Sequence, residues 1–151
     1  MWCYADIGKI LSAHNNHNGS TFTLCPLKNM KGRAFIAVGI FPERTHPITS
    51  FDGELTTDKV INFVWSNLDL LGHRNVALGT WYDSEYHRIV LDVVLLVPRK
   101  HRERAIELGK KFNQHSIYDL KADAAIPTGG TGECTGTLTS IEAQARLEES
   151  L

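Results

Sequence analysis

Residues 76–98 read VALGTWYDSEYHRIVLDVVLLVP, two apolar runs on either side of a polar joint. The runs Val76 to Tyr82 and Arg88 to Val97 predict two strands, and Asp83-Ser84-Glu85-Tyr86-His87 between them predicts an antiparallel hairpin. The second run is apolar at nearly every position, as expected of a central strand covered on both faces. Asp92 interrupts it, and an ionised carboxylate in that setting needs a partner. If the chain turns near Ser84 and Glu85, Asp92 shares a sheet face with Gly79 and Trp81. The glycine then leaves open surface and the indole offers a wall. Such a patch suits a ligand, or an arginine such as Arg44 or Arg74. The plainer alternative is a strand face that meets solvent, or one satisfied core carboxylate.

Working outward, Tyr4 to His14 carries Ile7, Ile10 and Leu11 at helical spacing, and the turn-forming run 15–19 (NNHNG) is expected to end that helix. Thr21 to Leu24 and Ala34 to Phe41 read as strands joined as a hairpin. Pro42 and Pro47 bracket an irregular piece. A helix capped by Thr56 or Thr57 and closed by Gly72 places Val60, Ile61, Val64, Leu68 and Leu71 on one face. Pro98 ends the long strand and starts a helix over 99–112, and Ser116 to Leu120 is a last short strand. Beyond Pro127 the composition turns to Thr and Gly, which predicts a flexible exit from the domain. Thr139 with Glu142 has the spacing of a capping box, predicting a small helix over 139–151.

The expectation is an α+β protein: a mainly antiparallel sheet of about five strands, with about three helices packed on one face. Residues 1–127 form one domain and 128–151 a Thr/Gly-rich tail with a short terminal helix. A chain of 151 residues, 42% apolar and 22% charged, has the length and composition to bury one core. The net charge of -1 disfavours a protein that coats nucleic acid over its whole surface. Three widely spaced cysteines (Cys3, Cys25, Cys134) do not make a disulfide framework, and the first twenty residues lack the apolar centre of a signal peptide. A cytoplasmic protein without a membrane partner is expected.

Motifs for chemistry are scarce. The stretch 127–132, PTGGTG, has no lysine where a phosphate loop needs one, and no helix opens after it. His14-x-x-His17 with Cys25 or Cys3 falls short of the paired ligand spacings that hold zinc, so neither a metal nor a cofactor is expected. No GxSxG elbow is present. The segment 98–111, PRKHRERAIELGKK, sets six basic side chains against two glutamates. A basic helix can meet phosphates, but glutamates at helical-pair spacing also describe a solvated face, which is the favoured reading. Asn113 and Gln114 follow it as a helix terminator and a pair of amides able to read a ligand edge.

The segments AVGIFPERT (37–45), VALGTWYDSEYHRIVLDVVLLVP (76–98), LGKKFNQHSIYDL (108–120) and IPTGG (126–130) carry a resemblance. As a set they resemble a group of small uncharacterised bacteriophage, plasmid, cyanobacterial and actinobacterial proteins, over roughly residues 4–132. The resemblance implies an accessory role in a bacterial or phage setting and assigns no catalytic residue. Two readings follow. The first is a non-catalytic accessory binding protein for a nucleotide-like ligand or a host protein, with Arg44, Trp81, Asp92 and Gln114 as contacts. The second is a small hydrolase or transferase, with Asp92 or Glu43 as general base assisted by His46 or His87. Pairing of the Thr21–Leu24 edge or of the terminal helix with a second copy would make a homo-oligomer.

Overall fold

A computed structural model describes residues 4–48 and 54–151. Among them the chain forms α1 (Tyr4–His17), β1 (Gly19–Leu24), β2 (Leu27–Asn29), β3 (Phe35–Val38), β4 (His46–Ile48), α2 (Thr57–Ser66) and α3 (Leu68–Leu71). There follow β5 (Val76–Asp83), β6 (Arg88–Pro98), α4 (Arg102–Lys111), β7 (Ser116–Asp119), β8 (Ala124–Pro127) and α5 (Ser140–Ser150). The eight strands make one sheet in the order β2-β1-β5-β6-β3-β7-β8, with β4 also paired to β6. Every pairing is antiparallel. The fold is α+β, with more strands and helices than the sequence pattern suggests.

The β5–β6 hairpin is its axis. Eight registered pairs run from Val76 opposite Leu95 to Asp83 opposite Arg88. On one face Leu78, Leu91, Val93, Leu95 and Val97 join Ile36 and Val38. All five helices pack there, contributing Ile10, Val60, Leu71, Ala105 and Leu147 among others to one continuous core. The alternate residues of the same strands, Ala37, Ala77, Val94 and Leu96, share a smaller cluster with Met30, Phe35 and Leu120 to which no helix contributes. A strand alternates faces at every residue, so Val93 to Val97 of β6 are all apolar because both its faces are covered near Leu95.

Three expectations are corrected. Strands β1 and β3 do not form a hairpin: β1 lies between β2 and β5, and β3 between β6 and β7. Consequently Thr21–Leu24 is interior, and the main strand path ends at β2 and β8. The run 15–17 continues α1 instead of ending it, and Asn18, with φ of +56°, supplies the left-handed residue just beyond. Residues 128–151 pack against the domain: Leu138, Ala143 and Leu147 are buried in the main core. The capping box at its start is formed, since the Thr139 hydroxyl accepts from the Glu142 amide and the Glu142 carboxylate accepts from the Thr139 amide. Composition suggested a tail; the apolar residues spaced through it decide otherwise.

Candidate functional site

On one side β6 meets two strands in succession, β4 along Ile89–Leu91 and β3 along Leu95–Pro98. The chain between them, residues 39–45, leaves the sheet, so a gap opens beside Asp92, Val93 and Val94. Asp92 lies in it. Its Oδ1 accepts from the Thr45 hydroxyl and from the Val93 amide, each at 2.9 Å. Among the described residues, its Oδ2 accepts nothing. The carboxyl keeps a little exposed surface, but the protein around it removes most of its hydration. That desolvation pushes its pKa up to about 7, against the opposing hydrogen bonds from Thr45 and Val93.

The other wall of the gap is Gly39. A β-carbon there would stand 2.5 Å from Gln114 Oε1 and 3.1 Å from Asp92 Oδ2. Two acceptor oxygens therefore converge over a glycine that leaves them room. The Gln114 amide nitrogen makes only a long bond of 3.4 Å to the Phe112 carbonyl.

Gln114 is aimed by an interlock between residues 113–115 and 128–132. Asn113 ends α4 in the left-handed region at φ +56°, and the Gln114 amide donates back to the Gly109 carbonyl. The amides of Thr128, Gly130 and Gly132 donate to the carbonyls of His115, Gln114 and Asn113. The Thr131 amide donates to Asn113 Oδ1, and Asn113 Nδ2 donates to the Thr131 hydroxyl at 2.7 Å. Thus the glycine-rich stretch spends these amides on its own chain, as lacing rather than as a phosphate cradle. Gly130 is required because a β-carbon would lie 2.5 Å from the Asn113 carbonyl carbon.

The four candidate residues part company here. Asp92 and Gln114 meet across the gap. Trp81 shares their sheet face, since it stands opposite Val90 while Gly79 stands opposite Asp92. That places it about 7 Å along the strand, and the residue is 44% exposed. Arg44 points the other way. Its guanidinium pairs with the Asp69 carboxylate at 2.9 and 3.1 Å and also donates to Asn67 Oδ1 and the Leu138 carbonyl. Residues 42–44 form a 3-10 turn, which sends Arg44 toward α3 while Thr45 turns to Asp92. Neither Arg44 nor Arg74 bonds the Asp92 carboxylate.

The proposed catalytic helpers are placed elsewhere as well. Glu43 accepts a two-pronged pair from Arg146, whose hydrogen bonds hold its carboxyl below the usual range despite partial burial. His46 stands opposite Leu91 and lies against the Phe63 ring on the helix side of the sheet. His87 sits in the hairpin turn, near the Tyr82 hydroxyl. His14 is buried, with Nδ1 2.8 Å from the Thr80 hydroxyl, and burial pushes its imidazole pKa down. Among the described residues no three His, Cys, Asp or Glu side chains converge as a metal site. Cys3, one of the sequence candidates, lies outside the described residues.

Thr45 and Gly39 are the participants that sequence reasoning missed. The FPERT stretch was visible, but its alternation of direction was not, because a 3-10 turn breaks the strand period. Two open surface concavities, of about 690 Å³ beside α1 and 330 Å³ beside α5, include none of the four candidates. No helix among the described residues is long and apolar enough to cross a membrane. No protein-family model, curated protein or solved structure matches the chain.

Proposed function

We propose that this protein is a non-catalytic accessory binding protein that takes a nucleotide-like ligand on the sheet face carrying Asp92, Gln114 and Trp81. The observation that carries the reading is the convergence of Asp92 Oδ2 and Gln114 Oε1 over Gly39, two oxygens that accept no hydrogen bond among the described residues. With Asp92 ionised, a planar base offering two adjacent N–H donors satisfies both, and an exposed indole about 7 Å away supplies a stacking surface. Binding is favoured over catalysis by the company Asp92 keeps. Glu43 is locked to Arg146, and His46 faces the opposite side of the sheet, so among the described residues neither candidate helper stands beside it. The phage or plasmid setting and a cytoplasmic location belong to the same proposal and rest on the motif resemblance.

Native mass spectrometry of the protein purified from a bacterial host, followed by titration with a panel of nucleotides, tests the reading. The expected result is an added mass in the nucleotide range, lost in Trp81→Ala and Gln114→Ala variants that melt like the parent. A parent protein that carries no such mass and binds no member of the panel sinks the nucleotide reading and leaves a host protein as the partner to seek.

A further inference from the structure

Three connections meet at one end of the sheet, remote in sequence from one another. The β2–β3 loop is tied to the β7–β8 turn by the Gly32 amide, which donates to the Leu120 carbonyl at 3.0 Å. It is tied to the 3-10 turn preceding α4 by the Arg99 amide, which donates to the Ala34 carbonyl at 2.9 Å. Buried Asp119 fixes the arrangement. Its Oδ2 accepts from Arg99 Nε at 2.9 Å, and its Oδ1 accepts from the Lys121 and Ala122 amides at 3.1 Å. Burial opposes its ionisation, yet these bonds hold its carboxyl below the usual range.

The three connections bring Lys31, Arg33, Arg99, Lys100, Arg102 and Lys121 to one exposed end. The side chains of four of them, Arg33, Lys100, Arg102 and Lys121, make no hydrogen bond or ion pair among the described residues. Of the nearby carboxylates, Asp119 is neutralised by Arg99, while Asp123, which accepts from the Tyr118 hydroxyl, and Glu103 keep their charge against the five remaining cations. The chain as a whole carries -1, so this end is a local concentration of positive charge on a weakly acidic body.

We infer that this end of the sheet is a platform for the phosphate backbone of nucleic acid, separate from the Asp92–Gln114 face. Unpaired cations held on tied loops present charge to a polyanion without first having to break internal pairs. Tyr118, 37% exposed beside the turn, adds an aromatic ring of the kind on which unpaired bases stack. A membrane surface fits less well, since no exposed Leu, Ile, Phe or Trp stands among these cations. The basic helix seen in the sequence thus contributes through its first residues, joined by Arg33 and Lys121 from distant loops.

The test is fluorescence anisotropy with a labelled mixed-sequence DNA duplex and the matching single strand, across a salt series. Binding to at least one is expected, weakening with salt at a log–log slope of roughly -2.8 to -3.6, about 0.7–0.9 for each of four neutralised phosphates. The variant Lys100→Ala with Arg102→Ala should bind at least tenfold more weakly and lower the slope by about 2. Lys9→Ala with Lys110→Ala removes the same charge elsewhere and should leave binding within about twofold, because screening weakens distant exposed charges. Circular dichroism melting of both variants confirms that each is folded. Equal losses in the two variants, no binding at low salt, or binding to anionic phosphatidylglycerol vesicles but not to DNA would each overturn the inference. Trp81→Ala should keep this affinity, which separates its failure from that of the nucleotide site.

Discussion

Glu43 and Arg146, 103 residues apart in sequence, form a two-pronged ion pair with oxygen–nitrogen distances of 2.7 and 2.8 Å. The same guanidinium donates to the Ile40 carbonyl and lies over the Phe112 ring, 4.8 Å from its centre. One side chain of α5 thereby clasps the connection that forms the gap beside Asp92.

Arg146→Ala should therefore loosen more than a surface pair would. Both partners are largely buried, and a lone Glu43 carboxylate would be left behind. The expected cost is about 2–4 kcal/mol, seen as a lower denaturation midpoint and as new protease cleavage between residues 128 and 140. Because Arg146 depresses the Glu43 pKa, the pair's contribution is present at neutral pH and fades as pH falls through the depressed pKa. A parent-like midpoint for Arg146→Ala would refute the clasp.

Asp92 has the opposite sign. Its folded pKa lies near 7 against an ordinary 3.8, so between those values the folded state holds a proton that the unfolded chain releases. Stability from this group is fullest below about pH 4 and declines as pH rises toward 7. Asp92→Asn keeps an acceptor for Thr45 and Val93 and has no charge to desolvate. It should flatten the decline of Tm between pH 4 and 7, by an amount worth up to about 4 kcal/mol. Identical pH profiles for parent and variant would count against the desolvated carboxyl.

Two glycine substitutions should separate structure from site. In Gly130→Ala the new methyl meets backbone atoms of Asn113 and Gln114 at 2.5–2.6 Å, so the interlock must spread, at about 1–3 kcal/mol or more. In Gly39→Ala the nearest atoms belong to the Gln114 side-chain end, which can swing aside. That variant should melt within about 1 kcal/mol of the parent and still lose nucleotide binding. Equal destabilisation by both would show that Gln114 is held as rigidly as the backbone.

Asp119→Ala removes an acceptor that serves Arg99 and two turn amides. A loss of about 3 kcal/mol is expected, with faster amide exchange at Lys121 and Ala122. Unchanged exchange there would mean that the β7–β8 turn holds without it.

The hairpin 76–98 was legible as two apolar runs around a polar joint, and the alternation of side chains along a strand then placed Gly79, Trp81 and Asp92 on one face. The α2 start was legible from Thr56, whose hydroxyl does accept from the Lys59 amide. What stayed hidden is carried by long-range hydrogen bonds. Nothing local to PTGGTG reveals that its amides will find the carbonyls of residues 113–115, so flexibility was the natural reading of its composition. Arg44 looked available because an arginine near strand ends suits a ligand; Asp69 and Leu138, 25 and 94 residues away, claim it instead. Conversely, Gln114 reaches Asp92 because residues 128–132 hold its backbone, a role that sequence spacing does not report.

The docking of α5 has a consequence for how the chain is made. Ala143 and Leu147 close a core whose other walls are synthesised much earlier, and Arg146 and Arg44 connect that late segment to residues 40–44 and 138. During translation the face of the sheet destined for α5 must wait uncovered until the ribosome releases the helix, and the gap beside Asp92 stays unclasped for the same interval. Each nascent chain therefore passes through a stage with exposed apolar surface before the gap beside Asp92 is clasped, the kind of stage at which chaperones engage.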